Sequence, residues 1–72
     1  MPSRFFFDVV VNGETSRDLQ GLILDNAEAA HREGLYVVKI LSRDKTDGLT
    51  DCVLEILDGH RKLLFSFPFS MP

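Results

Sequence analysis

The sequence predicts an α+β fold in the order β-β-α-β-β, a four-stranded antiparallel sheet with one helix packed on one face. Three observations carry this. Aromatic and β-branched residues 5–11 run into Asn12-Gly13, a strong short hairpin signal. An alanine-rich stretch follows a helix-capping residue at Asp25. Two further apolar segments alternate on either side of Asp58-Gly59. A sheet of this kind buries one face against its helix.

The first strand is expected over residues 4–11. Its alternation sets Phe5, Phe7, Val9 and Val11 on one face and Phe6, Asp8 and Val10 on the other. The wholly apolar face belongs to the core. Residues 14–19 return as a short polar strand, whose charges suit a sheet edge. Leu22-Ile23-Leu24 then leads the chain to the helix.

The helix is expected over residues 26–43, with Asp25 as the cap and Glu28 completing a capping box. Ala27, Ala30, Gly34, Val37, Val38 and Leu41 form one stripe at helical spacing. Asp25, Glu28 and Glu33 load the front, and Lys39, Arg43 and Lys45 the rear, as the macrodipole favours. Glu28 and Arg32 stand at i,i+4. A helix ending at Gly34 with a strand over 35–41 is the rival, because Tyr36-Val37-Val38 favours extended backbone. The unbroken stripe and basic rear favour the long helix. In that helix Gly34→Ala would stabilise, provided the site has room for a methyl group.

After a polar loop around Thr46-Asp47-Gly48, strands are expected over 51–57 and 62–69. Cys52, Leu54, Ile56, Leu63, Phe65, Phe67 and Phe69 then share the inward face. Pro68 lacks an N–H, which suits an edge strand or the end of pairing.

Composition narrows the function classes. The 72 residues make one domain, 44% hydrophobic and 26% charged. A domain of this size buries only about 60% of the surface of its unfolded chain, so a partner would add to its stability. A net charge of −3 gives no footprint for nucleic acid or an anionic membrane. One cysteine allows no internal disulfide and suits a reducing compartment. Asp8 interrupts the first apolar run, which leaves neither a leader core nor a transmembrane span. The chain reads as complete, cytoplasmic and small.

Candidate chemistry is sparse. His31, Cys52 and His60 are the only soft metal ligands, and none has a partner at metal-site spacing. Cys52 is read as a buried inert thiol and His31 as a solvated or capping residue at the helix rim. His60 sits in a turn beside Asp58, where a metal or small ligand could bind. Asp8 is expected outward, paired across the hairpin with Arg4 or Arg17. Arg17-Asp18-x-x-Gly21 reads as turn chemistry, since one glycine makes no phosphate cradle. Phe6 and Phe67 fall on opposite faces, against a base-stacking sheet.

Several short features together resemble one family. They are Met1-Pro2, Phe5-Phe6-Phe7-Asp8-Val9, Arg17-Asp18 with Gly21, Ala29-Ala30-x-Arg32-Glu33, and an Asp-containing turn before the last strand. This order is similar to a family of short uncharacterised proteins of rhizobia and related alphaproteobacteria that open M-P-R-Y-F-F-D-V. Here one extra residue precedes the aromatics, and Gly34 stands where that family more often has alanine. The resemblance implies a lineage and a long helix, and carries over no site residue.

The second sheet face is the remaining functional signal. Phe6, Val10, Val53, Leu57 and Leu64 are expected to point away from the helix, leaving an apolar patch among Asp8, Glu55 and Ser66. Such patches mark interaction surfaces. The sequence therefore reads as a non-enzymatic protein-interaction module without catalytic residues, metal or cofactor. Its partner is a protein, in the first place a second copy in a homodimer. A ligand or metal sensor using Asp58 and His60 is the alternative.

Overall fold

In the computed structural model, which describes residues 2–42 and 50–71, the aromatic segments become the long strands of one antiparallel sheet. The elements are β1 (Ser3–Val11), β2 (Glu14–Ser16), β3 (Leu22–Leu24), α1 (Ala27–Leu41), β4 (Thr50–Leu57) and β5 (Leu63–Met71). The sheet runs β2-β1-β4-β5, with β3 also paired to β1. Among the described residues the fold is thus α+β with one helix and five strands rather than four.

The additional strand lies on the outer edge of β1. Asn12 and Gly13, at φ 51 and 81, turn the chain so that Val9–Val11 meet Glu14–Ser16. β2 stops there, short of residue 19. Residues 22–24, expected only as a connection, pair with Ser3–Phe5 as β3. Two short strands therefore lie in tandem along one edge. Residues 17–21 leave that edge between them, and Gly21 at φ 73 brings the chain back.

The helix runs unbroken through Gly34, so the strand over 35–41 is excluded. Its N-cap is Asn26, not Asp25: the Asn26 side chain accepts from the Ala29 amide at 2.8 Å. Asn26 directly precedes the first helical residue, and its backbone is extended at φ −165. Ser42 caps the other end on the Val38 carbonyl through its amide and its hydroxyl. Arg43, Lys45 and the loop at 46–48 lie outside the described residues.

Ala30 and Gly34 are buried where α1 meets the sheet. The core is Phe5, Ala30 and Ile56, with Phe7, Leu24, Leu64, Phe65 and Phe67 packed around it. Cys52 and Leu54 are buried as well, as the alternation of β4 requires. β5 carries Pro68 within the strand and continues to Met71 as an edge.

One expected pair of orientations is exchanged. Ile56 faces Phe65 and Leu57 faces Leu63, so Leu64 is an extra residue in a bulge. Leu64 consequently packs against the helix-side core, and Leu63 is left half exposed.

Candidate functional site

On the sheet face opposite the helix, the strand registers set side chains in rows. Phe6 stands opposite Leu57, Asp8 opposite Glu55, and Val10 opposite Val53. Thr15 extends the last row on one side and Pro68 on the other. The two ends of this face differ in character.

At the Phe6 end the face is closed. Residues 17–21 fold over it from one side and the β4–β5 turn from the other. Asp8 is buried at 3% exposure, where the sequence placed it outward with Arg4 or Arg17. Its Oδ1 accepts from the Asp18 amide at 2.9 Å, and its Oδ2 lies 2.5 Å from Arg61 Nη2. The Arg61 guanidinium also sits 4.9 Å from the centroid of the Phe6 ring. Arg61 Nη1 donates to the Asp18 carbonyl at 3.3 Å. Arg4 meanwhile donates to the Gln20 carbonyl. Arg61 takes the Asp8 carboxylate because its left-handed backbone, at φ 64, turns it back over the sheet.

Asp18 organises this cover. Its Oδ1 accepts from the amides of Gln20 and Gly21, at 3.1 and 2.9 Å, closing the turn. Its Oδ2 accepts from the Phe7 amide at 3.1 Å. Phe7 lies between the β1 residues paired to β2 and those paired to β3. A side chain thus replaces the missing strand at that point of the edge. Burial acts to raise the Asp18 pKa, but the amides of Gly21, Phe7 and Gln20 and the Arg61 charge prevail and lower it. The expected turn chemistry at Arg17-Asp18-x-x-Gly21 is present, with a wider role than its spacing suggested.

At the other end the face is open. Val10 and Val53 are half buried, and Pro68 and Thr15 are exposed. A shallow groove of about 710 Å³ lies there, with Asn12, Gly13 and Ser70 at its rim. Of the five residues expected on an interaction surface, Val10 and Val53 line this groove. Leu57 is buried and Phe6 is half buried beneath Arg61. Leu64 belongs to the helix-side core because of the bulge.

The remaining candidates are structural in their contacts. Asp58 Oδ1 accepts from the amides of His60 and Lys62 at 2.8 and 2.9 Å, so the carboxylate is engaged in its own turn. The Lys62 amide bond lowers its pKa most, burial opposes this, and the His60 amide with the His60 and Lys62 charges adds to the lowering. His31 is not a solvated rim residue. Its ring meets Phe65 and Phe67 edge-on, with centroids at 4.9 and 5.1 Å. Cys52 is buried, and its Sγ lies 3.4 Å from the Thr50 carbonyl oxygen. Among the described residues no three His, Cys, Asp or Glu side chains are grouped to hold a metal. No helix among them is long and apolar enough to cross a membrane.

No curated protein and no solved structure matches this chain. A family profile described as a domain of unknown function matches residues 4–70, which include every strand and the helix except the outermost strand residues. That match takes in Asp8, Asp18 and Arg61 as well as the open row, and the chain belongs to this family, DUF6894.

Proposed function

We propose that the protein is a small non-enzymatic interaction module that docks another protein on the open part of the sheet face. The observation that carries this reading is the row Thr15–Val10–Val53–Pro68, which is apolar at its centre and uncovered among the described residues. The adjoining row bears Asp8 and Glu55, with Asp8 neutralised by Arg61. An apolar strip beside a polar one is the arrangement of an interface core and its rim. Further support comes from the carboxylates of Asp8, Asp18 and Asp58, which are occupied by internal donors rather than turned towards a substrate. A second copy joined face to face about a two-fold axis is the simplest occupant, since it needs one self-complementary patch. We place the protein in the cytoplasm, where a lone buried thiol stays reduced, and in the alphaproteobacterial lineage that its opening motif resembles.

The test is Val10→Glu, which sets a charge in the row without touching the helix-side core. Sedimentation at tens of micromolar and capture of lysate proteins on the immobilised chain are compared between the two forms. The expected result is association in the unsubstituted protein and its loss in the variant, with circular dichroism unchanged. An unsubstituted chain that stays monomeric and captures nothing through this face overturns the reading.

A further inference from the structure

The sheet face opposite the helix is stepped. Over its Phe6 half, residues 17–21 are held on both sides of Leu19. The Asp18 amide donates to Asp8, its carboxylate accepts from the Phe7, Gln20 and Gly21 amides, and the Gln20 carbonyl accepts from Arg4. Leu19 itself is 84% exposed, more than any other large apolar side chain among the described residues. A loop anchored this closely presents the side chain with little left to order on binding. Beyond Asp8 the face drops to the groove of about 710 Å³ along Val10, Val53 and Pro68. One half of the face carries a fixed apolar knob, and the other half an apolar hollow.

We propose that two copies pack face to face about a two-fold axis crossing the strands at the Asp8–Glu55 row, with Leu19 of each copy seated against Val10 and Thr15 of the other. This pairing rests on the docking face proposed above and adds the side chain that fills it. Shape selects the axis. An axis along the strands would stack loop on loop and hollow on hollow, holding the open rows apart. An axis across the strands exchanges the two ends but keeps each strand in its place. The edge bearing residues 17–21 then lies over the edge bearing Thr15 and Val10. Every contact occurs twice.

Charge selects the same axis. Exposed Asp51, two residues from Val53 on the same face, lines the hollow. Exposed Arg4 and Arg17 stand in the covered half, where Asp8 and Asp18 already accept internal donors. Crossing the strands brings those cations towards Asp51 of the second copy, whereas the other axis sets like beside like. The axis row itself holds Asp8 and Glu55 against the single guanidinium of Arg61. Glu55, which forms no ion pair among the described residues, meets its own counterpart there. Glu55→Gln should therefore tighten the pair.

Sedimentation at tens of micromolar on the unsubstituted chain, Leu19→Ser, Glu55→Gln and Val10→Glu provides the first test. The unsubstituted chain should be a dimer, and Glu55→Gln a tighter one. Leu19→Ser should weaken it about tenfold or more, as expected for losing a buried leucine, and Val10→Glu should be monomeric. Leu19 is exposed, so its replacement should leave circular dichroism unchanged. The second test mixes Leu19→Cys chains with Thr15→Cys chains under oxidation. Mixed disulfides should outnumber those joining like chains, and buried Cys52 should not compete. Leu19→Cys linked chiefly to itself overturns the proposal. A dimer lost in Val10→Glu but undiminished in Leu19→Ser overturns it while leaving the docking face in place. A monomeric chain that captures lysate proteins through Val10 does the same, and a dimer that survives both substitutions overturns the proposal and the docking face together.

Discussion

Gly34 faces Ile56 with no space between them for a methyl group. A Cβ at position 34 would overlap Ile56 Cδ1 and stand 2.9 Å from Phe67 Cε2. Both neighbours belong to the packed interior, so neither yields without disturbing the other. The helix rests on the sheet through this glycine.

Gly34→Ala is therefore expected to destabilise. Alanine gains about 1 kcal/mol in helix propensity, but overpacking a filled core costs about 1–3 kcal/mol. The net loss should be about 1 kcal/mol, read from urea denaturation. A stabilised variant would mean that helix and sheet can separate slightly at this point.

Removing Arg61 should be more costly. Arg61→Met leaves the Asp8 carboxylate, only 4% exposed, without its cation. Breaking a buried pair from one side costs about 3–5 kcal/mol, and the 29% exposure of Arg61 puts the expected loss at the lower end of that range. Arg61→Lys should recover only part of it, because a point charge cannot also bond the Asp18 carbonyl and keep the guanidinium over the Phe6 ring. Thermal denaturation of both variants provides the comparison.

Acid should weaken the protein through Asp18. Its folded pKa lies below the ordinary value of 3.8, so the unfolded chain binds more protons as pH falls through that region. The stabilisation is fully present above about pH 3.8 and is lost as pH drops through the folded pKa. Asp58 contributes a slope of the same sign. Asp18→Asn should consequently flatten the acid limb of a stability–pH curve without abolishing it. An unchanged limb would remove Asp18 from the account.

Gly13 and Gly21 separate conformational strain from collision. Both have positive φ, but a Cβ at Gly13 meets nothing within 4 Å, whereas one at Gly21 lies 2.8 Å from the Phe5 carbonyl oxygen. Gly13→Ala should cost about 1 kcal/mol, the left-handed penalty alone. Gly21→Ala should cost clearly more, because the Phe5 backbone cannot retreat while β1 pairs with β3. Equal losses in parallel melts would contradict this.

What could be read from the sequence followed local periodicity. The stripe through Ala30, Gly34 and Leu41 identified the helix, and alternation placed Val10 and Val53 together on the far face. The strand Leu22–Leu24 was hidden because three residues carry no period of their own, and their pairing comes from β1. Leu63 and Leu64 exchanged faces because a bulge shifts parity without a local marker. Asp8 could be singled out as an acid in an apolar strand. Its partner could not, since Arg61 lies 53 residues away and reaches it only through the closed sheet.

That separation has a kinetic side. The hairpin at Asn12-Gly13 and the turn at Asp58 each close locally, but Arg61 joins their neighbourhoods across 43 residues to Asp18 and 53 to Asp8. Contacts of such long range carry a large loop-closure cost and form after the hairpins have met. Arg61 then acts as a latch set late in folding, so its loss should accelerate unfolding and leave the refolding rate nearly unchanged in stopped-flow measurements. The lifetime of the native state, more than the speed of reaching it, would be governed by this side chain.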